Sequence, residues 1–197
     1  NVSFVQGYVE NGTAEENREL LCEAVNAAKA VDKAIIFAGL PESYETEGLD
    51  RRKLDMPPEQ NALIGAIAAV QPNTVVVLHN GSPITMPWIK DVAAVLEMYL
   101  GGEAVGLATA ELLYGEANPC GHLAETFPVS LEDNPTYPYY GIERHDVPYR
   151  EGVLVGYRYY TRKGKDTLFP FGYGLSYTSF AYSNLTVDRN SMLDTDT

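Results

Sequence analysis

The chain has 197 residues, 45% of them apolar, and its 27 acidic against 14 basic side chains leave a formal charge of -13. That length supports one good core with a small appendage. The charge excludes the basic footprint of a nucleic-acid binder and offers nothing to an anionic membrane surface, and no apolar run is long enough to span a bilayer.

The opening Asn1-Val-Ser-Phe-Val-Gln-Gly7 reads as a strand already under way, so the polypeptide is expected to begin further upstream. Thr13 is placed to cap a helix over residues 14–30, with Glu16 completing a capping box. Leu20, Leu21, Ala24, Val25 and Ala28 recur at helical spacing on one face. Lys33 to Gly39 is a short, continuous apolar run ended by glycine, the pattern of a buried parallel strand. An acidic loop follows, Tyr44-Glu-Thr-Glu-Gly-Leu-Asp-Arg51. Pro57-Pro58 opens a second helix with the stripe Leu63, Ile64, Ile67 and Ala68, and Pro72 stops it.

Asn73 to His79 is the clearest buried strand, β-branched and unbroken, and Asn80-Gly-Ser-Pro83 turns the chain at its end. A further strand is expected over 92–99, a helix from Gly101-Gly102 to about Tyr114, and a last short strand over 122–127. Repeated β-α units of this kind demand right-handed crossovers. The expectation is a doubly wound α/β domain, a mostly parallel sheet with helices on both faces.

From residue 128 the texture changes. Ten of the 14 tyrosines lie between 137 and 182, among frequent prolines and glycines. No helical period is visible there, so an extended, aromatic-rich tail packed along the domain is expected, its rings buried and its hydroxyls partnered at the edge. Ser176 to Val187 alternates like a single β-strand, which has no independent stability.

Nucleotide fingerprints fail. Gly101-Gly-Glu-Ala-Val-Gly106 carries its glycines at the wrong offsets, and no phosphate-loop lysine is present. His79, His122 and His145 lack metal-ligand spacing, and His79 reads as a satisfied histidine at a strand end. Ser82 and Ser176 lack the nucleophile elbow. Cys22 and Cys120 are expected as two buried free thiols. Asn11-Gly-Thr13 and Asn184-Leu-Thr186 match the glycosylation triplet, a pattern that arises readily by chance. No cofactor or metal is called for.

The carboxylates of the acidic loop remain. They follow the carboxyl end of a predicted strand, where open α/β sheets place their ligands. Glycoside hydrolysis uses two carboxyl groups, one of which donates a proton to the leaving oxygen. Glu47, beside Gly48, fits a proton donor, while Asp50 and Arg51 fit an ion pair holding the loop. Spacing alone does not separate Glu47 from Glu45.

Glu47-Gly-Leu-Asp-Arg51, followed by Leu54-Asp-Met-Pro-Pro-Glu-Gln60 and Leu63-Ile64, resembles a stretch of the family 3 glycoside hydrolases. Four further blocks agree in order: 75–83, 115–123 with 126–128, 149–160, and 168–178. The resemblance implies the second, α/β-sandwich domain of a β-glucosidase-like enzyme over residues 1–175. It implies the start of a fibronectin type III-like domain over 176–197. It places a nucleophilic aspartate on a separate (β/α)-barrel domain, whose motif this chain lacks, and the acid/base on this one. By motif that role falls on Glu47, with Glu45 as runner-up. The implied substrate is a β-glucoside or oligosaccharide with a terminal non-reducing β-D-glucosyl residue. Cys120 stands where the family usually has serine, and Leu100-Gly-Gly-Glu103 replaces a more usual Pro-Gly-Gln type turn, both outside the proposed chemistry. A non-catalytic carbohydrate-binding or scaffolding module, with Tyr157, Tyr159 and Tyr160 as its face, is the alternative.

Overall fold

The computed structural model of the chain describes residues 1–142 and 145–193. Helix α1 spans Ala14–Lys29, strand β1 Ala34–Gly39, helix α2 Pro58–Ala68, strand β2 Thr74–His79, strand β3 Ala94–Glu97 and helix α3 Val105–Tyr114. Then come β4 (Phe127–Pro128), a 3-10 turn (Leu131–Asp133), α4 (Tyr157–Lys163) and β5 (Thr167–Phe169).

The three longer strands form one parallel sheet in the order β1-β2-β3, with Ile36 opposite Val76 and Val76 opposite Val95. Burial explains the order. Thr74, Val76, Val77 and Leu78 of β2 are fully buried, so an unbroken β-branched run occupies the middle of the sheet. On β1, Ile36 and Ala38 are buried whereas Ile35 and Phe37 remain 45% and 56% exposed. The alternation identifies the covered face. Ala24 and Ala28 of α1, Leu63, Ile64 and Ile67 of α2, and Ile84, Met86 and Trp88 beyond β2 join Ile36, Ala38, Val76 and Leu78 in one core. The parallel α/β class is as expected from the sequence.

Local signals hold for the first helix. The Thr13 hydroxyl accepts from the Glu16 amide at 3.2 Å, and the Glu16 carboxylate accepts from the Thr13 amide at 2.8 Å. This reciprocal capping satisfies two otherwise orphaned donors. Gly39 lies so close to β2 that an added Cβ would stand 2.0 Å from the His79 carbonyl oxygen. On the other side of Gly39, the buried amide of Gln60 receives its N–H and donates to its carbonyl, both at 2.8 Å. A side chain from α2 thus completes the pairing of β1 at its carboxyl end.

Several expectations require correction. Residues 1–7 form no strand, and Val2 and Phe4 are 87% and 90% exposed. An apolar pattern becomes a strand only where a neighbour accepts its backbone bonds. The segment 122–127 does not extend the parallel sheet. Its Phe127–Pro128 end pairs antiparallel with β5, and Leu123 exchanges backbone bonds with Tyr173 and Gly172. The tail is not wholly extended either. Gly156 adopts φ 55° and ψ -133°, a glycine conformation, and α4 starts there and ends at Gly164 with φ 62°. Residues 176–187 form no strand; residues 194–197 lie outside the described ones. Cys22 and Cys120 are free as expected but exposed, because Cys22 turns away from the Ala24 and Ala28 stripe.

Candidate active site

The chain from Leu40 to Pro57 contains no helix and no regular strand, yet it is firmly held. Leu40 extends the pairing of β1 by one bond to the His79 carbonyl, at 3.0 Å. The amides of Tyr44 and Glu45 then turn back onto the Pro41 carbonyl at 2.8 and 3.0 Å. Thr46 pairs with Leu49 as an antiparallel bridge, which leaves Glu47 and Gly48 at the tip of a tight turn. Beyond it, Thr85 donates its amide to the Leu54 carbonyl at 2.9 Å and its hydroxyl to Asp55 at 2.5 Å.

The two candidate glutamates part company here. The Glu45 side chain is half-buried and accepts from the Gly81 amide at 2.6 Å and from the Ser82 hydroxyl. Glu47 is exposed at the tip, next to Gly48, where an added Cβ would meet nothing within 4 Å. Leu49 beside them is 74% exposed. Asp50 and Arg51 do not point the same way, contrary to the expected ion pair. Asp50 is exposed and faces the Tyr140 hydroxyl, which it holds above its ordinary pKa. The Arg51 Nη1 donates instead to the Ser82 hydroxyl at 2.7 Å and the Pro83 carbonyl at 2.9 Å.

Behind the loop lies a polar cluster that sequence reasoning missed. The fully buried Asn80 donates from Nδ2 to the Ser82 carbonyl at 3.0 Å and to Glu97 Oε2 at 3.1 Å. The Tyr99 amide donates to Glu97 Oε1 at 2.9 Å. Burial pushes the Glu97 carboxyl up to about 7, against the hydrogen bonds from Tyr99 and Asn80 and with a further push from Glu125 and Glu45. Burial also raises Glu125, with Glu45 adding to the rise and Arg51 opposing it. Arg51 is pulled below its ordinary value by burial, while Glu45, Glu125 and Asp55 favour its charge. A glutamate ending an apolar strand was the signal available for Glu97; nothing local marked Glu125.

The residues of the alternative reading take part in ring packing, with Tyr157 still 41% exposed. Tyr157 stacks on Phe171 at 4.7 Å, Tyr159 meets Tyr160 edge-on at 5.6 Å, and Tyr160 is buried. His79 stacks on Phe37, and His122 and His145 are exposed.

A family description, the glycosyl hydrolase family 3 C-terminal domain, matches residues 2–177. The chain belongs to this family. Among curated relatives, the thermostable beta-glucosidase B of Acetivibrio thermocellus is 54% identical over 195 residues, 98% of this chain and 26% of that protein. A probable beta-glucosidase I of Aspergillus flavus is 47% identical over 86% of this chain and 20% of its own length. The crystal structure of a Bifidobacterium adolescentis GH3 beta-glucosidase superposes with a TM-score of 0.87 at 43% identity, over 92% of this chain and 27% of that one. The Kluyveromyces marxianus beta-glucosidase in complex with glucose gives a TM-score of 0.80 at 40% identity, over 85% and 20%. The family 3 domain described here thus spans about a quarter of the length of the first two proteins compared.

Proposed function

We propose that this chain is the acid/base-bearing domain of a retaining, exo-acting β-glucosidase, and that Glu47 is the acid/base. The observation that carries the reading is the division of labour between the two glutamates. Both oxygens of Glu45 are committed to Gly81 and Ser82, whereas Glu47 stands exposed at the apex of a braced loop. An aspartate on a (β/α)-barrel domain of the same enzyme attacks the anomeric carbon of a terminal β-D-glucosyl residue. Glu47 protonates the departing oxygen, then takes a proton from the water that opens the glycosyl-enzyme. Retention places the two carboxyl groups roughly 5–5.5 Å apart, so Glu47 has to reach across a domain boundary, which its position at the loop tip favours. Residues 176–197 are read as the start of a fibronectin type III-like domain, in keeping with a family match that ends at residue 177.

The test uses the full-length enzyme. Glu47→Ala is expected to lower kcat on a poor leaving group by roughly 10²–10⁴-fold, the usual contribution of a positioned general acid or base. An activated aryl glucoside should suffer least. Sodium azide should restore turnover with formation of β-glucosyl azide, since the small anion fits the vacated space. Azide rescue of Glu45→Ala together with a silent Glu47→Ala would transfer the role to Glu45.

A further inference from the structure

A proton donor on an irregular loop is useful only if the loop is stiff, because a displacement of about 1 Å costs on the order of 10²-fold in rate. Loops without regular structure are ordinarily the mobile parts of a fold. The stretch from Leu40 to Pro57 is such a loop, and two of its side chains bracket Glu47 and converge on one hydroxyl. Glu45, two residues before, receives the Ser82 O–H. Arg51, four residues after, donates to the same oxygen at 2.7 Å. The Arg51 bond can run only one way, since a guanidinium has no acceptor, and the Ser82 hydroxyl donates its own proton to Glu45. Ser82 therefore uses its proton on one arm of the loop and its lone pair on the other.

The hub is itself tied to the sheet. Arg51 also holds the Pro83 carbonyl at 2.9 Å, and Glu45 also holds the Gly81 amide at 2.6 Å. Asn80, which follows β2 and is fully buried, fixes the Ser82 carbonyl at 3.0 Å. At Gly81 an added Cβ would press at 3.2 Å on both the Glu45 carboxylate and Leu100, so the two loops meet without slack.

We infer that Glu45, Ser82 and Arg51 form a clasp that locks the loop to the end of β2, and that they are positioning residues for Glu47. The inference rests on the reading of Glu47 as proton donor, and it gives Ser82, which has no nucleophilic setting, a task of its own. The clasp acts on turnover rather than on ground-state binding, because it aims a group whose work is done in the transition state.

A double-mutant cycle in the full-length enzyme tests it. Ser82→Ala and Glu45→Gln should each lower kcat by roughly 10–100-fold with little change in KM, with Ser82→Thr recovering most of the loss. Neither should yield glucosyl azide. In the Glu47→Ala background the same Ser82→Ala change should cost no more than about threefold, because nothing remains to be aimed. An equal loss in both backgrounds, or no loss with Glu47 present, would overturn the clasp and leave the acid/base reading standing. Azide rescue of Glu45→Ala, with Glu47→Ala active, would remove both. Thermal unfolding of Ser82→Ala within a few degrees of the parent separates these outcomes from failure to fold.

Discussion

Glu97 ends β3 with a half-buried carboxyl whose desolvation pushes its pKa up to about 7, whereas an unfolded chain would release the proton near 4.5. In that interval the folded state binds more protons than the unfolded one, so this group's contribution to stability is complete below about pH 4.5 and declines as the pH rises through 7. The full interval corresponds to on the order of 3 kcal/mol. Glu125 works in the same direction, and Glu45 reinforces both. In urea titrations of the chain at pH 5 and pH 7.5, the parent should lose more stability between the two than Glu97→Gln, whose side chain does not titrate. Equal losses would show that Glu97 is solvated rather than buried among its neighbours. The same residue marks a limit of sequence reading at this scale. Its position at a strand end was visible, but its proximity to Glu45 and Glu125 brings together three segments far apart in the chain. As a candidate, Glu47 was legible because the loop motif is contiguous. Its separation from Glu45 was not, because that depends on which carboxylate meets Gly81 and Ser82.

Among the elements, the end of β1 is the most tightly determined. Gly39 has the His79 backbone against one side and the amide of Gln60 on the other. Gly39→Ala would set a methyl carbon 2.0 Å from a carbonyl oxygen, a clash that only a shift of the sheet relieves. Overpacking typically costs 1–3 kcal/mol and here is expected to reach about 3 kcal/mol, read as a lowered urea midpoint. An unchanged midpoint would mean that β1 and β2 separate at no cost. The acidic loop leaves this strand, so the same substitution should also lower turnover in the full enzyme. Contiguous patterns made the elements of this half legible: the Thr13–Glu16 box, the stripe of α2 and the unbroken run of β2. Elements that depend on distant partners were not. The first residues have the composition of a strand but pair with none, the 122–127 segment turned to the tail for its partner, and α4 depends on Gly156 adopting a conformation that no period announces.

At the scale of the molecule, the chemistry and the core occupy opposite roles on one sheet. The core lies where α1, α2 and the segment after β2 cover Ile36, Ala38, Val76 and Leu78, and the polar loops gather at the carboxyl ends of β1, β2 and β3, the position that open α/β sheets reserve for ligands. Six carboxylates assemble there, Glu45, Glu47, Asp50, Asp55, Glu97 and Glu125, and three of them are tied to the framework. Glu45 holds the loop, Glu97 is bonded to Asn80 and Tyr99, and Asp55 receives the Thr85 hydroxyl. Glu47 is exposed, and a retaining hydrolysis needs a second carboxyl roughly 5–5.5 Å from it that is free to attack carbon. Glu45 is the near neighbour in sequence, and its oxygens are engaged. The chain by itself is therefore expected to be inert. Incubated with nitrophenyl β-glucoside, it should release nitrophenol no faster than buffer, and azide should bring no increase, since without a nucleophile no glycosyl-enzyme forms for it to intercept. Release above the buffer rate that disappears in Glu47→Ala would place the nucleophile within these 197 residues and abolish the need for a barrel aspartate. Release unaffected by Glu47→Ala would instead move the chemistry away from the loop tip.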